Sequence, residues 1–303
     1  MNRFLLSFFF GFFLPFPMEA QVKYMSEDTV IFQRFLQYSR QSDGSIIHAA
    51  RFFIDTPYVG GTLEGDDVEQ LRVNLRELDC VTFVENVLAL YLMLQSDSHT
   101  FGNFCRILQH IRYRDGIIDG YLSRLHYFSE WLDNNRQKGT ISLPAIPACR
   151  SFTPDVSYMS AHCDAYPALK AHPDWCRRMT AIEKNINELN LCYIPKAQVK
   201  DFETNLHSGD IIAITTHISG LDVAHTGFAL KQNGRVYLLH ASSEAKKVMV
   251  SNETLHDYLV KRKNHSGILQ GRINKFSQGD RTKTVAKRPV VCNAGHSAPT
   301  MTR

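Results

Sequence analysis

The chain has 303 residues with 44% hydrophobic content, enough to bury a full core in one elaborated domain and too few for three domains. Lysine and arginine total 34 against 30 acids, a formal charge of +4. That charge is mild and spread along the chain, so no basic stripe marks a nucleic-acid-binding protein.

Met1 to Ala20 carry one positive charge, then a short phenylalanine-rich apolar block broken by proline, then small residues. This is the layout of a secretory signal peptide, with an uncleaved anchor as the other reading. No later segment approaches the roughly 20 apolar residues of a membrane span, so the mature chain is expected to be exported without stable membrane insertion. Export implies an oxidising compartment in which cysteines pair. Seven cysteines leave one over from any full set of disulfides.

Asp28 to Gln41 and Ser45 to Phe53 repeat apolar residues every three or four positions and predict amphipathic helices. Thr56 to Gly65, with Pro57 and the Gly60-Gly61 pair, is a turn-rich loop. A short extended piece, Arg72 to Leu75, precedes Arg76-Glu77-Leu78-Asp79, after which Cys80 opens an apolar stretch that predicts a buried helix to Gln95. A cysteine at a helix start meets unpaired N–H groups and the positive end of the helix dipole, which favour a thiolate. The bland reading is that Cys80 is a small buried hydrophobe. Asp79 fits a helix N-cap better than a catalytic acid. Further helices are predicted at Phe101 to Ile111 and about Leu125 to Asn134.

Ile141 to Asn205 differs in character, with Cys149, Cys163, Cys176 and Cys192, several prolines and no strand-like alternation until its end. It reads as a cysteine-rich insertion with one helix near Trp175 to Leu189, in which four cysteines allow three pairings. A zinc site with His162 or His172 would lack the close cysteine pairs of structural zinc sites. From Gly209 the pattern turns to β: Asp210 to Thr215, Ala224 to Lys231, Val236 to Ala241 and Lys246 to Val250. Gln232-Asn233-Gly234 signals a hairpin between the middle two. A helix, Thr254 to Lys263, and a strand, Gly267 to Ile273, follow, and the polar basic tail 276–303 reads as disordered. Helices first and an antiparallel sheet second give an α+β fold: a helical half over 21–140, the insertion over 141–205 and a β half over 206–275.

A cysteine nucleophile needs a base within reach and a third group to orient that base. His225 and His240 lie at nearly matched distances from the predicted turn, on neighbouring strands that could both face the Cys80 helix. His225 is then the base and His240 the residue fixing its tautomer, with backbone N–H groups at the helix start holding an oxyanion. Arg124 suits a bidentate bond to a substrate carboxylate, or else is a solvated or structurally paired arginine. Glu85, inside the Cys80 helix, reads as a buried partner or as a ligand group.

Pro57-Tyr58-Val59-Gly60-Gly61, Leu78-Asp79-Cys80-Val81-Thr82-Phe83, Gly209 to Ala213, Val223 to Phe228 and Leu239-His240-Ala241 occur in an order that resembles the NlpC-type papain-like cell-wall hydrolases. Leu78 to Asn86 and Tyr121 to Tyr127 more narrowly resemble the N-acetylmuramoyl-L-alanine amidase-like branch, over about Ile46 to Ile273. The resemblance implies a papain-like fold with Cys80 as nucleophile, His225 as base, His240 as third polar residue, and Tyr58 lining the site. Val81 and Thr82 stand where the wider superfamily has serine and glycine, which points to the amidase-like branch. Thr82, Tyr58, Arg124 and Glu85 are the candidate substrate contacts. The implied reaction cleaves the bond between N-acetylmuramic acid and L-alanine in muropeptides, in the periplasm or outside the cell, and needs no metal or other cofactor. A cysteine endopeptidase or acyltransferase on stem peptides would use the same residues. A non-enzymatic envelope-binding protein is the remaining alternative.

Overall fold

The computed structural model describes residues 22–274, apart from 42, 66–67 and 147–148. The leader expected over 1–20 and the tail expected over 276–303 lie outside the described residues. In chain order the elements are β1 (Val22–Lys23), α1 (Ser26–Ser39), α2 (Ile46–Arg51), β2 (Leu71–Arg72), α3 (Cys80–Leu94), α4 (Phe101–Arg112) and α5 (Phe128–Gln137). Next come β3 (Ile141–Ser142), β4 (Arg150–Phe152), α6 (Tyr158–Ala161), α7 (Pro167–Ala171), α8 (Pro173–Ile186), β5 (Leu191–Pro195) and α9 (Val199–Phe202). The chain closes with β6 (Ile211–Thr216), β7 (Val223–Gln232), β8 (Arg235–Ser242), β9 (Lys247–Thr254), α10 (Leu255–Lys261) and β10 (His265–Ile273). Helices thus lead and an antiparallel sheet follows, the α+β order that the sequence pattern predicts.

The main sheet runs β4-β5-β10-β6-β7-β8-β9, with β3 also paired to β10. Its centre is apolar on both faces, which explains near-continuous runs such as Ile211 to Thr215. One face carries Ile211, Ala213, Phe228, Leu230 and Leu239 into a core shared with α3. The other carries Ile212, Ile214, Ala229 and Leu238 against Leu255 and Leu259 of α10. Every residue of α3 from Thr82 to Leu90 is buried, as expected of a helix apolar all round. Phe83 sets its ring edge-on to Phe228 at 5.7 Å, which docks the first turn of α3 on β7.

The hairpin between β7 and β8 has the predicted turn. Gln232 pairs with Arg235, leaving Asn233 and Gly234 as a two-residue loop with φ of 50° and 77°. Both positive values suit a primed turn, which asparagine and glycine tolerate.

The cysteine-rich segment is more strand-bearing than its sequence suggests. β4 and β5 extend the main sheet beside β10, and β3 pairs β10 further along. These strands are two to five residues long, too short to show alternation. Of the three pairings, the cysteines adopt Cys149–Cys192 and Cys163–Cys176. Among the described residues Cys80 and Cys105 stand outside disulfides. No described helix is long and apolar enough to cross a membrane.

Candidate active site

Cys80 is the first residue of α3, and the cap before it decides which helix N–H groups are spoken for. Asp79 Oδ1 accepts from the Thr82 N–H at 2.7 Å, while Thr82 Oγ1 accepts from the Asp79 N–H at 2.9 Å. This reciprocal capping leaves the N–H groups of Cys80 and Val81, which point at the Cys80 sulfur together with the N–H of Thr226. The ladder between β7 and β8 ends at Phe228 and Leu239, and the sulfur meets β7 just beyond that end.

Tyr58 reaches the same place because its loop is held from two sides. The Tyr58 N–H donates to Lys246 O and the Val248 N–H to Thr56 O, so the loop lies along β9. On its other side the Leu78 N–H donates to Pro57 O, and the Val59 N–H to Leu78 O. The half-buried Tyr58 hydroxyl is pushed up to about 12 by burial, with the nearby Cys80 and Asp79 adding to the shift.

His225 and His240 are in contact. His225 Nε2 lies 2.6 Å from His240 Nδ1, with the two rings at 87°. They do not share the face of α3, as the strand pairing alone suggested. His225 is opposite Ile214, a residue of the α10-side core, and both rings sit against Tyr258 of α10 at 6.0 and 5.5 Å. The helix start and the imidazoles therefore meet β7 just past the end of its ladder with β8, from opposite faces of the sheet. Gly227 allows this close approach, since a Cβ there would stand 2.8 Å from Leu239 O and 2.9 Å from His240 Cβ.

Burial governs the protonation states. It pushes the Cys80 thiol up to about 12, with the Asp79 carboxylate adding to it, although Cys80 is partly exposed as a residue. The three N–H groups oppose this shift without reversing it. Burial, the neighbouring His240 and then His265 hold His225 well below the usual histidine range. Burial and the Arg262 cation bring His240 down to about 4. Burial thus works against charge on the thiol and on both imidazoles.

Three sequence-nominated substrate contacts are placed otherwise. Thr82 is 3% exposed and serves the cap. Glu85 is 1% exposed, pairs with Arg112 at 2.7 Å and accepts from Trp131 Nε1 at 3.2 Å. It ties α3 to α4 and α5 and offers nothing to a ligand. Arg124 is buried between Glu64 at 3.0 Å and Glu69 at 3.3 Å, so two carboxylates already occupy the guanidinium that was expected to take one from a substrate. Tyr258 is the residue that sequence reasoning missed. It touches both histidines and carries the Arg262 guanidinium 3.6 Å above its ring, yet nothing distinguishes it within an ordinary amphipathic helix.

Three N–H donors thus face the Cys80 sulfur, and the residue before Thr226 on β7 is His225, held against His240. Among the described residues no group of three or more His, Cys, Asp or Glu is placed to hold a metal ion.

The AmiA-like family, described as N-acetylmuramoyl-L-alanine amidase-like, matches residues 48–268. No curated protein matches. Among solved structures, an N-acetylmuramoyl-L-alanine amidase from Bacteroides uniformis is 38% identical, with a TM-score of 0.72 over 77% of this chain and 100% of its own. A Bacteroides fragilis protein named as a candidate xylanase is 42% identical, with a TM-score of 0.70 over 74% and 99%. A Legionella pneumophila protein at 21% identity shares the fold alone, with a TM-score of 0.60 over 89% and 97%.

Proposed function

From the premise that the chain belongs to the N-acetylmuramoyl-L-alanine amidase-like family, we propose that it is a cysteine amidase of the papain-like, NlpC type. It hydrolyses the bond between the lactyl group of N-acetylmuramic acid and L-alanine in peptidoglycan fragments, in the periplasm or outside the cell. The observation that carries this reading is the contact of Cys80 with the Thr226 N–H, one residue beyond a histidine that is itself held 2.6 Å from a second.

With His225 Nε2 engaged by His240 Nδ1, His225 Nδ1 is the nitrogen left to accept the thiol proton. His225 then carries its hydrogen on Nε2 and donates it to His240, which makes His240 the positioning residue. As sulfur attacks the lactyl carbonyl, the Cys80 proton moves to His225, and negative charge on the carbonyl oxygen meets the Cys80 N–H. The imidazolium returns its proton to the alanine nitrogen, the C–N bond breaks, and a thioester remains on Cys80. Water, deprotonated by His225, cleaves the thioester to a lactyl carboxylate and restores the thiol. Because burial works against charge on both partners, proton transfer accompanies attack instead of preceding it.

A glycosidase reading, which the name of the Bacteroides fragilis relative favours, calls for two available carboxylates flanking the scissile bond. The carboxylates that face Cys80 and His240 are engaged otherwise, since Asp79 caps α3 and Glu244 pairs with Arg262. Mass spectrometry of products from a defined muropeptide separates the possibilities. The amidase gives a free lactyl carboxylate and a peptide beginning with L-alanine, lost in Cys80→Ser and kept in Cys105→Ser. Products cut within the stem peptide or between sugars would overturn the reading.

A further inference from the structure

We infer that Asp222 is a positioning residue for the base, holding the start of β7 so that the strand changes face there and presents His225 to His240; this rests on the amidase reading, in which His225 is the base.

Asp222 is 3% exposed, yet its carboxylate is fully engaged. Oδ2 accepts from the Ser129 N–H at 2.7 Å and from Ser129 Oγ at 2.6 Å, while Oδ1 accepts from the Val223 N–H at 2.7 Å. Ser129 is the second residue of α5, whose own N-cap, Tyr127, supplies no side-chain acceptor. Asp222 therefore caps α5 from a distant part of the chain, where the free N–H groups of a helix start favour a carboxylate.

The pairing of β6 with β7 shows what this tether controls. Ile214 lies opposite His225 but Thr215 lies opposite Val223, so Ala224 is an extra residue in β7, a bulge beside the base. In a regular strand Val223 and His225 would share a face. Here Val223 packs on the core shared with α3, whereas His225, opposite Ile214, is on the α10 side. That change of face sets His225 Nε2 2.6 Å from His240 Nδ1. Asp222 holds the residues just before the bulge from two directions, since its carbonyl also accepts from the Thr216 N–H at 3.2 Å. The next fixed point upstream is Gly220, whose carbonyl accepts from the Ser157 and Tyr158 N–H groups at 3.1 and 3.0 Å.

The same helix also holds the nucleophile's helix. Trp131 of α5 donates from Nε1 to Glu85 Oε1 of α3 at 3.2 Å. Through Asp222 and Glu85, two buried carboxylates, α5 sets the strand of the base against the helix that begins with Cys80.

Steady-state kinetics of the full chain on a defined muropeptide test this, with the imidazole N–H proton between His225 and His240 followed by NMR of isotope-labelled histidine. Asp222→Asn keeps the size of the side chain but offers its donors one acceptor oxygen in place of two. Its kcat should fall roughly tenfold or more while KM changes less than about twofold, and the low-field imidazole proton should shift or vanish. Ser129→Ala, which removes only the hydroxyl donor, should show the same split in smaller degree. Ile107→Val, a core variant in α4, lowers stability alone and should keep both kcat and the proton signal. An unmoved proton signal or an unchanged kcat in Asp222→Asn, or equal losses in Ile107→Val, would overturn the assignment. So would a raised KM with kcat kept, which marks a substrate contact. If the unmutated protein releases no peptide beginning with L-alanine while the proton still shifts in Asp222→Asn, the amidase reading falls and the positioning of the histidine pair stands.

Discussion

At the scale of single residues, the state of Cys80 is set by a contest between solvation and local charge. The helix start supplies N–H donors, but burial and the Asp79 carboxylate outweigh them and raise the thiol to about 12. The thiol is protonated below that value, so its thiolate fraction rises tenfold per pH unit through the neutral range. Alkylation of Cys80 by iodoacetamide should therefore be about 100-fold faster at pH 9.5 than at pH 7.5, whereas an ordinary cysteine levels off above about pH 8.5. A rate already level below pH 7 would show a preformed thiolate–imidazolium pair and contradict this. Asp79→Asn removes the charge and keeps a good N-cap, so alkylation at pH 7.5 should quicken while stability changes by only a few tenths of a kcal/mol.

At the scale of elements, the site depends on a join between α3, β7, β8 and α10. Gly227→Ala tests the close approach of β7 to β8, because the added methyl group meets Leu239 O and His240 Cβ below 3.0 Å. Overpacking of this kind costs about 1–3 kcal/mol, and here it also moves His240. Hydrolysis should drop more than tenfold in protein that is still folded; activity near that of the unmutated chain would show that His240 placement does not matter. Much of this was legible in the sequence. The apolar run after Cys80, the Asn233-Gly234 turn and the spacing of the two histidines each follow a local rule, and the helix, hairpin and histidine contact all appear. What was not legible depends on tertiary placement. Thr82 and Glu85 look like ligand groups until the cap and the Arg112 and Trp131 contacts are seen. The face on which the histidines project was misjudged because strand pairing shows that two residues are neighbours and not which helix covers them. Tyr258 carries no sequence signal, and β3 to β5 are too short to carry one.

At the scale of the whole molecule, the cysteine-rich segment both widens the sheet and walls a cavity beside Arg124, and its two disulfides hold those jobs separately. Cys149–Cys192 closes 43 residues and ties the approach to β4 onto β5, while Cys163–Cys176 closes 13 residues beside Trp175. Chain-entropy reasoning gives about 4 and about 3 kcal/mol for loops of those lengths. Thermal melts of Cys149→Ala with Cys192→Ala, and of Cys163→Ala with Cys176→Ala, should thus both fall, the first further. Equal melting with and without reductant would mean that neither bridge constrains the chain. The central claim, that this fold delivers an acyl group to one sulfur, is met most directly by acid-quenching the protein during turnover of a muropeptide and mapping the acylated peptide by mass spectrometry. The account predicts a lactyl-linked muramoyl thioester on the peptide containing Cys80, matched by released peptide beginning with L-alanine. Turnover with Cys80 unmodified at every quench time and undiminished in Cys80→Ser, or an adduct on Cys105 instead, would contradict it.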